Sequence, residues 1–382
     1  MKPLDGLLVL EFCQFLAGPS AALRLADLGA RVIKIERPDG GDIGRTLYNS
    51  NLEFDGDSTL FHSINRNKQS FAVNLKDPAE FGKIKKLIEK ADVLIENFRP
   101  GVVERMGIDY ASVSKINPRL IYGEITGYGN EGPWRNKPGQ DLLVQSVSGI
   151  TWLNGNADQP PTPFGLAIVD LFTSAHLIQG ILAALVRRGI TGKGAFVQVS
   201  LLESILDFQF EVITTHLNDN GALPQRSTIN SAHAYLAAPY GIYATADGHI
   251  ALAMGSILDL ASLLDCPALL AYADRKTWFS QRDEIKQILV DHLRMQPTDY
   301  WLARLEPADY WCADVLTWTR LLQHDGFQVL NMIQQVWRTG LDTPLPTTRC
   351  PIRIDGELLL SDKGAPRVGE DTDKITTEFQ LA

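Results

Sequence analysis

Leu7-Leu8-Val9-Leu10-Glu11-Phe12 reads as a buried strand, residues 21–28 as a helix closed by Gly29, and residues 31–36 as a second strand. Pro19, after Gly18, suits the first turn of that helix, where its missing N–H leaves no bond unmade. Strand, helix and strand in so short a span leave few architectures. Two strands joined by a crossing helix run parallel, and a parallel sheet needs helices over its faces. The pattern continues, with strands expected at 71–75, 93–96 and 120–125 and helices at 80–90 and near Val102. Residues 1–202 are therefore read as one large α/β domain. Residues 203–225 read as a linker helix and loop, with a helix expected over 201–216 and polar residues after it. A smaller α+β domain is expected at 226–325, with strands at 237–243 and 250–254 around Asp247-Gly248 and a helix at 283–295. Residues 326–382 are expected to return to the large domain. A chain of 382 residues divides naturally in two.

Composition narrows the function. A net charge of −9 argues against a broad nucleic-acid surface. The four cysteines, Cys13, Cys266, Cys312 and Cys350, are scattered without CxxC spacing, which predicts a reducing compartment and no metal site. Met1-Lys2-Pro3-Leu4-Asp5-Gly6 lacks a signal-peptide pattern, and no uncharged apolar run of about 18 residues predicts a membrane span. A cytoplasmic protein is expected. The turn Gln14-Phe15-Leu16-Ala17-Gly18-Pro19 lacks GxGxxG, so Glu36 alone does not make a dinucleotide site. No permanently bound cofactor is expected.

One carboxylate stands out. In Gly165-Leu166-Ala167-Ile168-Val169-Asp170-Leu171, Asp170 separates a strand-like run from an apolar helix pattern over 171–188 that ends in Arg187-Arg188. A buried Asp is costly unless its charge has partners. Asp170 is thus a helix N-cap or a working carboxylate, and the two readings are compatible. A helix N-terminus is expected to lower its pKa and keep it ionised. An ionised carboxylate can attack a thioester.

Several motifs recur in one order with this segment. They are Pro3-Leu4-Asp5-Gly6, Val32 to Arg37 before Asp39-Gly40-Gly41-Asp42, Asn65-Arg66-Asn67-Lys68, Glu96 to Gly101, Gly127 to Pro133 and Gly192-Lys193-Gly194. Together they resemble the class III CoA-transferases, a family that includes formyl-CoA and carnitine CoA-transferases and a racemase branch acting on 2-methylacyl-CoA. The resemblance covers almost all of the first domain. It implies a Rossmann-like large domain, a smaller domain and an interlinked homodimer, with acyl-CoA and a carboxylic acid as substrates. By the same resemblance Asp170 becomes acylated during turnover, and Phe15, Leu16, Ala17, Arg37, Asn97, Phe98, Arg105 and Lys137 line the CoA site.

Three positions depart from relatives. Leu16 stands where formyl-CoA transferase has Gln, which removes a polar contact to a small substrate. Gln140 stands where the racemase branch has His, and a neutral amide does not shuttle protons near pH 7. Gly255, in Met254-Gly255-Ser256, is the single glycine where formyl-CoA transferase has a glycine-rich lid. The implied reaction passes CoA from an acyl-CoA to a free acid through an aspartyl anhydride and an aspartyl-CoA thioester. Backbone N–H groups near Ala17 and at the start of the Asp170 helix are candidates to stabilise oxyanions. The alternatives are a 2-methylacyl-CoA racemase and a catalytically silent CoA-binding protein. His176 and His233 read as structural or merely polar, and the aromatic group Tyr300, Trp301, Tyr310, Trp311 and Trp318 as core and domain contact.

Overall fold

The computed structural model describes residues 1–381. The chain divides into two compact units, one of residues 1–144, 167–208 and 329 onward, the other of residues 145–166 and 209–328.

The first unit is built on a six-stranded sheet of β1 (Leu8–Glu11), β2 (Arg31–Glu36), β3 (Gln69–Ala72), β4 (Val93–Glu96), β5 (Ile121–Thr126) and β6 (Ala195–Ser200). Every pairing is parallel, in the order β3-β2-β1-β4-β5-β6. This is the doubly wound order, in which the strands reverse direction of addition beside β1 and a crevice opens at their carboxyl ends. Val9, Leu10, Val32, Ile33, Leu94 and Ile95 are all but inaccessible, as expected of strands covered on both faces. Leu10, Ile33 and Leu94 pack with Ile84, Leu87 and Ile88 of the helix Pro78–Lys90 and with Ile375 near the end of the chain. Each such burial contributes about 1.5–3 kcal/mol.

Four helices matter for the site: α1 (Ala17–Asp27), α2 (Asp141–Ser148), α3 (Ile168–Thr191) and α4 (Leu201–Phe208). α1 starts four residues before the expected 21–28, which puts Pro19 inside its first turn. Gly18 is required there, because a Cβ would lie 2.3 Å from Cys13 Sγ. α3 packs on α1, α4, β5 and β6. By length and composition it is also apolar enough to cross a membrane, although its uncharged run, between Asp170 and Arg187, stays under 18 residues. The helix expected over 201–216 is broken. α4 ends at Phe208 and a separate helix runs Phe210–Asn218, with Gln209 out of helical conformation between them.

The second unit carries a three-stranded antiparallel sheet in the order β9-β8-β7, from β7 (Gly241–Ala244), β8 (His249–Leu252) and β9 (Cys312–Asp314). Tyr243, Ile250, Leu260, Leu289 and Trp301 form its core. Residues 145–166, read from sequence as part of the large domain, group with this unit. Arg226 explains why: it donates to the carbonyls of Asn154 and Gln159, while Ala157 N–H donates to Ser227 O. The aromatic group is also split. Trp301 and Tyr310 are buried, but Trp311, Trp318 and Tyr300 are exposed. Trp311 precedes β9, an edge strand with no neighbour on its outer side, and Trp318 opens a short surface helix.

Candidate active site

The turn from β1 to α1 is held by buried charges. Lys34, in the middle of β2, reaches Glu11 and Asp42 at 2.8 Å each and donates to Cys13 O at 2.9 Å. Lys68 reaches the other oxygen of Glu11 at 2.8 Å and donates to Asn65 Oδ1 and Pro19 O. Both lysines thus tie down the backbone on either side of Phe15-Leu16-Ala17. Asn97, after β4, completes the hold: its Oδ1 accepts from Gln14 N–H at 2.9 Å and its Nδ2 donates to Gln14 O at 2.7 Å. Phe15 sits in the left-handed region at φ 63° and is half exposed. Leu16 precedes α1 without capping it, so the first N–H groups of α1, at Ala17 and Gly18, have no side-chain acceptor among the described residues.

At the carboxyl ends of β1, β2, β3 and β4 lies a cleft lined by Gln14, Arg37, Asn74, Lys76, Phe98 and Met106, among others. It brings together Arg37 and Phe98 of the sequence-predicted CoA residues. Arg37 is exposed, and its Nε donates to Gly41 O at 2.9 Å. Phe98 N–H donates to Glu96, a carboxyl that burial pushes up to about 8. Asn74 and Lys76 were missed from the sequence; their place just after a strand end was the available signal. Arg105 lies exposed with its guanidinium beside Gly101. Lys137 is exposed, with Nζ 5.8 Å from the centre of the Trp134 ring. Neither lines the cleft.

Asp170 lies in the first turn of α3, half-buried. It is not the cap. The N-cap position is Ala167, which has no side-chain acceptor, and the N–H groups of Val169 and Asp170 both donate to Asp141 Oδ1, at 2.8 and 3.2 Å. This corrects two expectations. The N–H groups of Val169 and Asp170 are already taken, so these two are not oxyanion donors. Nor is the carboxyl lowered: burial, then the Asp141 charge, pushes Asp170 up to about 7. Burial outweighs the helix terminus, which would favour the anion, and the carboxylate of Asp141 at that terminus adds to the rise.

The remaining predicted residues are placed as follows. Gln140 is exposed and immediately precedes α2, its carbonyl accepting from Val144 N–H. Gly255, in the second unit, is required by packing, since a Cβ would lie 2.4 Å from the Tyr310 ring. His176 is held by Ser204 and Asp207 of α4, and His233 by Glu211. No cluster of His, Cys, Asp or Glu suited to a metal ion occurs among the described residues.

The chain matches the family CoA-transferase family III over residues 4–372. It is 36% identical to succinyl-CoA:glutarate CoA-transferase of Homo sapiens, over 79% of this chain and 69% of the human protein. It is 37% identical to acetyl-CoA:oxalate CoA-transferase of Acetobacter aceti, over 78% and 77% of the two chains. Succinate–glutarate CoA-transferase of Agrobacterium fabrum is 31% identical over 99% and 96%. The crystal structure of a CAIB/BAIF family protein from Brucella suis superposes with a TM-score of 0.84 at 29% identity, covering 99% of each chain. A parallel sheet ending in a cleft, a half-buried aspartate beside a helix start and these relatives agree, and the chain belongs to CoA-transferase family III and is a CoA-transferase.

Proposed function

We propose that this enzyme, a cytosolic homodimer with a Rossmann-like CoA-binding unit, exchanges CoA between small dicarboxylic acids through covalent intermediates on Asp170. The observation that carries the mechanism is Asp170 itself, a half-buried carboxylate on a helix start with its backbone N–H already satisfied. In the first step an Asp170 oxygen bonds to the thioester carbonyl carbon, the C–S bond breaks, and CoA leaves as the thiolate with the electron pair. The thiolate then attacks the Asp170 carbonyl, expelling the donor acid as carboxylate. The acceptor carboxylate attacks this aspartyl thioester and releases the thiolate, leaving an anhydride that the thiolate opens to free Asp170 and the new acyl-CoA. Each step exchanges one anion for another, so thioester energy is conserved. The unfilled N–H groups of Ala17 and Gly18 suit the transient oxyanions. Relatives named for succinyl-CoA, glutarate and oxalate support a dicarboxylate preference. Exposed Val186 and Ile190 on α3 offer an apolar face to a second copy.

The test is a matrix of acyl-CoA donors against carboxylic acids, with the CoA thioesters read by mass spectrometry. Exchange is expected with succinyl-CoA and short dicarboxylates, from a preparation whose native mass is that of a dimer. The acyl α-hydrogens should not exchange with deuterated water, because Gln140 is an amide. Fast α-exchange without acyl movement would instead make the protein a racemase.

Arg37 is assigned to a phosphate of CoA, since Gly41 O fixes its Nε while its two Nη nitrogens have no partner among the described residues. Arg37→Ala should weaken CoA binding by about 1.5–3 kcal/mol, the range for a charge-assisted hydrogen bond. Calorimetry with CoA and dephospho-CoA locates the contact: a loss confined to CoA means the 3′-phosphate. Unchanged affinity for both would take Arg37 out of the site.

A further inference from the structure

The turn that carries Asp170 is held from a distant point in the sequence. α3 has no cap of its own, because Ala167 offers no side-chain acceptor. Asp141, the first residue of α2, supplies one. It is buried, and a single oxygen, Oδ1, receives the N–H groups of both Val169 and Asp170. An asparagine at this position would accept the same two bonds, since Asn caps helices as well as Asp does. What Asp141 adds is charge, placed beside the one carboxylate that the reaction needs as a nucleophile.

No other charge is engaged with Asp170 from the elements packed on α3. On α1, Arg24 pairs with Asp27, which also binds Arg66. On α4, Glu203 binds Ser200 Oγ and Asp207 binds His176. On β5, Glu124 accepts from Asn130 and Gln198, and β6 carries no ionisable side chain. Asp141 is the one charge shown to act on Asp170.

We propose that Asp141 is a positioning residue for CoA transfer, which caps the turn bearing Asp170 and sets a fixed negative charge against it, so that acylation of Asp170 is favoured. The proposal rests on Asp170 being the residue that is acylated. Two carboxylates side by side repel when both are ionised. When an Asp170 oxygen bonds to the acyl carbon and the thiolate departs, the negative charge leaves Asp170 with the sulfur, and the repulsion is relieved. The same repulsion makes Asp170 more basic, and hence a stronger nucleophile once ionised, at the expense of its ionised fraction at low pH.

The experiment uses the full-length enzyme with Asp141→Asn and Asp141→Ala, following the pH dependence of kcat/KM for the acyl-CoA, the affinity for CoA and acylation of Asp170 trapped with hydroxylamine. Asp141→Asn should keep CoA affinity, move the acidic limb of the profile down by about one pH unit and lower the alkaline plateau by roughly threefold, since a Brønsted dependence passes about half of a pKa change into the rate. Asp141→Ala, which loses the cap as well, should fall below Asp141→Asn on the plateau. A merely structural role would not shift the acidic limb. An unmoved limb in Asp141→Asn with Asp170 still trapped as the acylated residue overturns the proposal alone. Trapping at a different residue overturns the reading of Asp170 beneath it. If Asp141→Ala does not fold, Asp141→Asn decides.

Discussion

Asp170→Asn is expected to lower the rate of CoA exchange by on the order of 10⁴-fold or more, the scale seen when a covalent nucleophile is removed. CoA binding should persist, because the cleft lined by Arg37, Asn74, Lys76 and Phe98 does not include Asp170. The same variant has an opposite effect on stability. Burial, then the Asp141 charge, pushes Asp170 up from its ordinary 3.8 to about 7, so the folded state holds a proton that the unfolded chain releases between these values. Stability from this group therefore falls as pH rises from about 4 to 7, and the deficit remains at higher pH. Asp170→Asn removes it. At pH 8 the variant should be more stable than the parent by on the order of 2 kcal/mol, after discounting the full shift for partial exposure. Urea denaturation at pH 8 and pH 5 reads the difference, which should shrink at the lower pH. In the parent enzyme, the protonated carboxyl should bring exchange down below pH 7. Near-parental exchange in Asp170→Asn would sink the covalent mechanism.

What could be read from the sequence follows from the range of the interactions. β2 and β4 fall where expected because short runs rich in Val, Ile and Leu, broken in β2 only by Lys34, signal strands covered on both faces, and no distant contact is needed to place them. β6 was not recognised from Ala195-Phe196-Val197-Gln198-Val199-Ser200, although the run alternates; it is an edge strand, half-exposed, and reads as ambiguous. The break at Gln209 carries no Gly or Pro, so nothing local announced it. Asp170 was visible as a lone carboxylate at a helix start. Its environment was not, because the cap comes from Asp141 across a span that periodicity does not see. The expectation of a lowered pKa followed from a helix terminus and failed because burial, and then the charge of Asp141 at that terminus, both raise it. Lys34 was a clue left unused. A lysine inside the run Val32-Ile33-Lys34-Ile35 must find a carboxylate or leave the core.

That lysine leads to the largest expected effect on stability. Glu11, Lys34 and Lys68 are wholly inaccessible, and Glu11 lies between the two lysines. The lysines are not equivalent. Burial works against the charge of Lys34, yet Glu11, Asp42 and Glu36 together hold its amine above the ordinary range. For Lys68 burial outweighs Glu11, its one carboxylate partner, and brings the amine down to about 8. Glu11→Leu leaves Lys34 with Asp42 but strands Lys68 in an apolar site, where Asn65 Oδ1 and Pro19 O are neutral acceptors. Removing one member of a buried pair typically costs about 3–5 kcal/mol, and that loss is expected here at pH 7. The cost should shrink as pH rises towards 10.5, the ordinary value of a lysine amine, because the unfolded chain then releases the same proton that Lys68 must lose on folding. Glu11→Leu with Lys68→Met should recover most of the loss, since it removes the stranded charge and fills the volume. Exchange activity should recover less, because Lys68 also ties Pro19 O, one end of the turn that carries Phe15, Leu16 and Ala17. Urea denaturation and acyl-CoA exchange on the same three proteins separate the two effects. A loss under 1 kcal/mol in Glu11→Leu would mean that Lys68 is already neutral in the parent protein and that its bond to Glu11 holds no charge.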